Sequence, residues 1–170
     1  AIGNGGTIWQ ASIAKAIVKT DGTVIKTIAP NKLGTLTTAP STVKFLQSAL
    51  REVVVSGTGA GVFAGFPIEI SGKTGTGQVF GRNPNGTLKD DTSWFASYAP
   101  TKNPRFAVVM MVGQGGFGAS TSGVGVKAIY EAIFGVKGNK VVPGAAIYPN
   151  GKPPTTLPKI SPATKPKEVP

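Results

Sequence analysis

Apolar and β-branched residues recur in short runs along the chain, punctuated by glycine, proline and asparagine. Thr7 to Val18 is rich in Ile, Val and Thr, Asp21-Gly22 supplies a two-residue turn, and Val24 to Ile28 resumes the pattern, which predicts a hairpin. Pro40 and Ser41 open a segment whose apolar residues Val43, Leu46, Leu50 and Val53 recur at i, i+3, i+7 and i+10, one face of a helix. Gly57 stops it, and Ser56 to Gly61 reads as a flexible glycine loop.

From Ile68 the chain reads as extended through Lys73 to Gln78, and Gly81 to Asp91 as a polar loop turned at Asn83-Pro84-Asn85-Gly86. Two further strands, Thr92 to Ala99 and Arg105 to Gly113, are joined by Pro100-Thr101-Lys102-Asn103-Pro104, a length suited to an antiparallel connection. After a glycine loop, Ser122 to Phe134 sets Val126, Ile129, Ile133 and Phe134 at helical spacing and closes at Gly135. Three antiparallel strands with helices before and after predict an α+β fold, an antiparallel sheet flanked by helices. Residues 138–170 differ in kind, with eight Pro and three Gly among 33, and read as a Pro/Lys-rich extended tail that leaves 1–137 as the domain.

Composition narrows the chemistry mostly by what is missing. The 170 residues suit one domain, and no Cys or His is present. That excludes disulfides, a thiolate nucleophile, a Ser-His-Asp triad and the common zinc sites. A serine enzyme built from these residues needs another base, for which Lys is the available candidate. The formal charge is +11, but the basic residues are scattered from Lys15 to Lys167 with no cluster. A nucleic-acid partner is therefore not expected, and a solvated cationic surface that meets anionic envelope polymer or lipid is. The longest apolar run, Phe106 to Val112, is too short to span a membrane, which takes about 20 residues. The opening Ala1-Ile2-Gly3-Asn4, without initiator Met or charged leader, looks like a processed or excised piece.

Ile70-Ser71-Gly72-Lys73-Thr74-Gly75-Thr76-Gly77 is the most informative stretch. A cationic Lys73 beside the hydroxyls of Thr74 and Thr76 suits a carboxylate, and Gly75 lets backbone approach a ligand. Strand alternation puts Lys73 and Thr74 on opposite faces. Both can serve one ligand only along the strand's edge, so this strand is expected to border a cleft by an unpaired edge.

K-T-G is shared by penicillin-binding proteins and serine β-lactamases, where it partners S-x-x-K and S-D-N type motifs. With Asn4-Gly5-Gly6-Thr7, Leu50-Arg51-Glu52-Val53-Val54, Gly57-Thr58-Gly59, Trp94-Phe95-Ala96-Ser97-Tyr98-Ala99-Pro100 and the glycine loop before the last helix, the chain resembles the C-terminal half of the transpeptidase domain of class B penicillin-binding proteins. Ala145 to Ile160 is similar to the tails of actinobacterial, elongation-type members. The resemblance implies a peptidoglycan D,D-transpeptidase that acylates a serine with a donor stem peptide, releases D-Ala and passes the acyl group to a neighbouring amine. It implies that Lys73, Thr74 and Gly75 form the catalytic strand, with Lys73 supporting the proton network and the carboxylate, that Thr74 and Thr76 hold the donor's terminus, and that the Thr76 N–H joins the oxyanion hole, with Trp94 as a cleft-lining candidate. It implies no metal or organic cofactor. Expected partners are the stem peptide, β-lactam antibiotics, an upstream half of the same domain and a SEDS-type glycosyltransferase, at the extracytoplasmic face of the cell membrane.

Three motifs compete with that assignment. No S-x-N triplet occurs, and the two S-x-x-K matches, Ser12 to Lys15 and Ser41 to Lys44, compare with about one expected by chance from ten serines and fifteen lysines. Ser12 falls in a hairpin strand. Ser41 starts a helix, is read as its cap, and lies only 32 residues before Lys73. The nucleophilic serine and the S-x-N motif are therefore expected upstream of Ala1, and the 170 residues alone are expected to be inactive. Gly113-Gln114-Gly115-Gly116-Phe117-Gly118 fits the dinucleotide pattern G-x-G-x-x-G, but no strand with an acidic end follows. A Walker A loop ending at Gly72-Lys73-Thr74 would need glycine at Pro67. A serine β-lactamase, a non-catalytic β-lactam sensor and a nucleotide-binding module stand as the alternatives.

Overall fold

The computed structural model describes residues 1–148. The elements in chain order are β1 (Thr7–Trp9), β2 (Ala16–Val18), β3 (Val24–Thr27), β4 (Lys32–Thr35), α1 (Pro40–Val55), α2 (Ala60–Phe63), β5 (Ser71–Gly77), β6 (Thr92–Ala99), β7 (Phe106–Val112), α3 (Val124–Phe134), β8 (Val136–Lys137) and β9 (Lys140–Val141). The main sheet is antiparallel in the order β5-β6-β7, with α1 against β5 and α3 against β7, the α+β arrangement the pattern predicts.

Burial alternates strictly along β6. Ser93, Phe95, Ser97 and Ala99 are buried, whereas Trp94 and Ala96 are exposed and Tyr98 is half-buried. A period of two is what a sheet with one covered face requires. The covered face carries the core: Phe95, Ala99, Ile70, Val54 and Phe63 meet Val126, Tyr130 and Phe134 of α3. Phe63 packs on Phe95 at 5.5 Å between ring centroids, and Phe134 meets Phe106 edge-on at 5.6 Å.

On α3 the buried stripe is Val126, Tyr130 and Phe134, spaced i, i+4 and i+8, while Ile129 is 41% exposed. Ile129 thus leaves the expected face, and Tyr130 replaces it because its phenol finds partners inside. Tyr130 Oη lies 3.1 Å from Ser97 Oγ, which itself lies 3.0 Å from Val108 O. The approach to α3 is a π-helical turn, Ala119–Gly123, so coiling starts before the expected Ser122. Gly118, just ahead of that turn, sits so close to the sheet that a Cβ there would lie 2.5 Å from both Gly75 O and Trp94 O. Ser122 N–H donates to buried Ser93 Oγ at 3.1 Å and ties the turn to β6.

Before α1 the pairing differs from the expectation. Asp21-Gly22 does turn the β2–β3 hairpin, with Gly22 at φ +88° and Asp21 Oδ1 accepting from Thr23 N–H at 2.8 Å. Thr7 to Val18 is not one strand, however, because β1 pairs with β4 instead. Residues 10–15 belong to no strand and divide the run, and the fully exposed Ile13 among them has no covered face to lie on. Ser56 to Gly61 is likewise more structured than a flexible loop, since α2 begins inside it and delivers Phe63 to the core. At the other end, Gly138 lies within the β8–β9 hairpin. Ile147 N–H donates to Ala132 O and Tyr148 stacks on Phe106, so the chain through residue 148 lies against α3 and β7; the remainder of the expected tail lies outside the described residues.

Two outcomes follow from this packing. Gly118→Ala must push the loop off the sheet and is expected to destabilise by about 1–3 kcal/mol in denaturant titration. Gly61→Ala, where a Cβ meets nothing within 4 Å, should stay within about 1 kcal/mol of the parent, on the stabilising side. Burial pushes the Tyr130 phenol from its ordinary 10.0 up to about 12, against a smaller downward pull from Ser97. The folded state thus favours the neutral phenol, and this contribution is intact below about pH 10 and lost as pH rises towards 12. Subtracting the stability–pH curve of Tyr130→Phe from that of the parent should show that loss and no other.

Candidate functional site

Among the described residues β5 pairs only with β6, so one edge of the Lys-Thr-Gly strand is open. Residues directly opposite in an antiparallel pair share a face. Lys73 lies opposite Ala96, Gly75 opposite Trp94 and Gly77 opposite Thr92, all on the face that α3 leaves uncovered. Thr74 lies opposite Phe95 and Thr76 opposite Ser93, on the core side. The two threonines therefore share a face that Lys73 does not, and the three side chains meet only around the strand's edge.

The backbone points the same way. In an antiparallel edge strand each residue turns its N–H and C=O together, and alternate residues turn them outward. Ile70 O accepts from Arg51 Nη1 at 2.9 Å and Thr74 O accepts from Lys73 Nζ at 2.8 Å, so the even-numbered residues are the outward ones. Thr76 has the same parity, which directs its N–H to the open edge.

Side chains around this edge are held from both ends. Thr58, in the turn between α1 and α2, places its Oγ1 2.7 Å from Thr74 Oγ1. Gly118 N–H donates to Thr76 Oγ1 at 3.4 Å. On the open face a Cβ at Gly75 would lie 3.1 Å from Trp94 Cβ, and one at Gly77 3.7 Å from Trp94 Nε1, so the indole runs beside a strip of strand with no side chains. Trp94 is 41% exposed there, next to the exposed Lys73. It continues into an uncovered apolar surface with Ala96, Ala107, Val109 and Met111, of which Val109 is 62% and Met111 55% exposed.

Lys73, Thr74, Gly75 and Thr76 on β5 and Trp94 opposite Gly75 on β6 thus gather in one place, and the competing motifs do not join them. Ser12 Oγ donates to Ala14 O in an exposed bend. Ser41 is exposed at the second position of α1; Ala39, not Ser41, is the N-cap residue, and no side chain caps that helix. Gly113 to Gly118 connects β7 to the π-helical turn, and after α3 comes the short β8–β9 hairpin rather than a parallel strand. Thr58 and Gly118 went unassigned by motif reasoning, because each acts through a contact between segments 16 or 42 residues apart. The Gly-Thr-Gly spacing around Thr58 was the one available signal.

The family described as the penicillin binding protein transpeptidase domain matches residues 1–135. A peptidoglycan D,D-transpeptidase MrdA of Haemophilus influenzae is 36% identical over 75 residues, 39% of this chain and 12% of the relative. The MrdA of Salmonella typhimurium is 28% identical over 99 residues, 54% of this chain and 16% of the relative. Among solved structures, Pseudomonas aeruginosa PBP2 in complex with WCK 5153 superposes with a TM-score of 0.65 at 27% identity, over 86% of this chain and 31% of that one. Penicillin-binding protein A of M. tuberculosis, as a ceftriaxone acyl-enzyme, has a TM-score of 0.63 at 20% identity over 76% of this chain and 29% of that one, a likeness of fold. The chain spans 12–16% of the length of these curated relatives. An edge-exposed Lys-Thr-Gly strand on an antiparallel sheet and a family match over residues 1–135 place this chain in the penicillin binding protein transpeptidase domain family, in its class B branch.

Proposed function

We propose that this chain is the part of a peptidoglycan D,D-transpeptidase that presents the Lys-Thr-Gly strand to the donor stem peptide. The observation that carries the proposal is the open edge of β5, where an outward Thr76 N–H, the Thr74 and Thr76 hydroxyls and the Lys73 ammonium lie within the four residues from Lys73 to Thr76. An acid-terminated acyl donor laid along that edge as an added strand would meet hydrogen-bond donors for its backbone and a cation and two alcohols for its terminus.

In the proposed reaction a serine supplied by the rest of the domain attacks the carbonyl between the two D-Ala residues. The serine proton is taken up through a lysine, the C–N bond breaks, and D-Ala leaves with a proton on its amine. An amine of a neighbouring strand then attacks the ester and regenerates the serine. The Thr76 N–H would stabilise the oxyanion in both steps, and one such donor is commonly worth about 2.7–4 kcal/mol of barrier. Lys73 would hold the donor carboxylate and steady the proton network, with Thr74 and Thr76 fixing its position. Trp94 and the apolar surface beside it would be covered by the domain segment that carries S-x-x-K and S-x-N, because an exposed face of this kind marks a binding surface. β-Lactams would enter as donor mimics, and a SEDS-type glycosyltransferase would supply the glycan strands at the extracytoplasmic face of the membrane. A relative 27% identical to this chain has been seen in a peptidoglycan synthase complex that coordinates polymerization and crosslinking.

Labelling with fluorescent penicillin tests the proposal. The full-length protein should form a stable covalent adduct, Lys73→Ala should lower the acylation rate by about a hundredfold or more, and Lys152→Ala should leave it unchanged. A full-length protein that binds nucleotide but never labels, or that turns penicillin over as a β-lactamase does, would reverse the assignment. The 170 residues alone should take no label, and mass-spectrometric mapping of an adduct to Ser12 or Ser41 would show the nucleophile to lie within them.

A further inference from the structure

We propose that Thr58 is a positioning residue for ligand acid groups, acting through Thr74; this rests on the transpeptidase reading of the β5 edge. The turn that carries Thr58 is closely built. Gly57 N–H and Ser56 N–H both donate to Glu52 O at 2.9 Å, Gly59 N–H donates to Val53 O at 2.8 Å, and Ala60 N–H returns to Gly57 O at 3.0 Å. A Cβ at Gly57 would lie 2.8 Å from Val53 Cα, and one at Gly59 3.2 Å from Val53 O and 3.5 Å from the Phe95 ring. Glycine on either side therefore lets the turn lie flat against the end of α1 and the core. Thr58 is the one side chain the Gly-Thr-Gly turn carries, and its hydroxyl meets Thr74 at 2.7 Å.

Hydroxyl chemistry gives that contact a consequence. Each threonine has one proton and two lone pairs. With Thr58 donating, Thr74 accepts from behind and keeps its own proton for an acid at the strand's edge. A hydroxyl that accepts one hydrogen bond also donates a second more strongly. Both residues are β-branched with stiff χ1, so the pair fixes the direction of the Thr74 hydroxyl before any ligand arrives. Thr58 touches no reacting atom on this account. Its effect is confined to ligands with a carboxylate for Thr74 to grip.

The test compares acylation of the full-length protein by a penicillin free acid and by its methyl ester, with second-order rate constants read by mass spectrometry. Thr58→Val, which keeps the shape and loses the hydroxyl, should slow the acid by about tenfold and the ester by less than about twofold. Thr58→Ser should restore the acid rate, and the melting temperatures of parent and variants should coincide. Equal losses for acid and ester, or no loss for the acid, would overturn the role of Thr58 while leaving the transpeptidase reading intact. Should Thr58→Val fail to fold, Thr58→Ala carries the same acid-to-ester comparison. A parent protein acylated by neither compound would overturn both proposals.

Discussion

Everything at the candidate site depends on β5 having a ladder on one side and none on the other among the described residues. Pairing with β6 fixes which residues face the core and which face the open surface, and the same pairing fixes which backbone groups are left over. Lys73, Thr74 and Thr76 cannot share a face, because a strand alternates. An open edge is the place where side chains of both faces and unpaired N–H groups meet, so an anionic ligand that needs a cation, alcohols and amide donors together can be served there and nowhere else on the strand.

Such an edge is ordinarily a liability, and here the sequence keeps it usable. Gly72, Gly75 and Gly77 leave it without bulk: a Cβ at Gly72 would lie 2.8 Å from the Phe95 ring and 2.9 Å from Ala96 O, so β5 sits closer to β6 than a substituted strand could. Gly118 does the same from the far side, bringing the loop between β7 and α3 onto Gly75 and Trp94. Glycines thus hold three segments together by absence of side chain, and the hydroxyls of Thr58, Thr76, Ser93 and Ser122 supply the directional contacts that apolar packing lacks.

What the chain discloses before folding follows from the range of each interaction. β6 and β7 were legible to within a residue because runs of apolar, aromatic and β-branched residues are bounded there by Asn83 to Gly86, Pro100 to Pro104 and Gly113, and α1 because its apolar stripe from Val43 to Val53 runs about three turns after a proline start. The Lys-Thr-Gly segment was legible because its residue types match a carboxylate's needs within four positions. β1 and β4 were not, since nothing local says that Thr7 pairs with Thr35 rather than with its neighbour across the Asp21-Gly22 turn. Ile129 was misplaced because periodicity cannot distinguish an isoleucine from a tyrosine whose hydroxyl has a partner across the core. Thr58 stood out only as part of a Gly-Thr-Gly segment, and its contact was hidden for a related reason: it depends on the other end of a hydrogen bond.

A structure of the full-length protein acylated by a penicillin bears on the central claim most directly. The account places the ligand's acid within hydrogen-bonding distance of the Thr74 and Thr76 hydroxyls, its acyl oxygen on the Thr76 N–H, and the outer edge of β5 free of any other strand. An acid bound elsewhere, or a β5 paired on both sides, would contradict it.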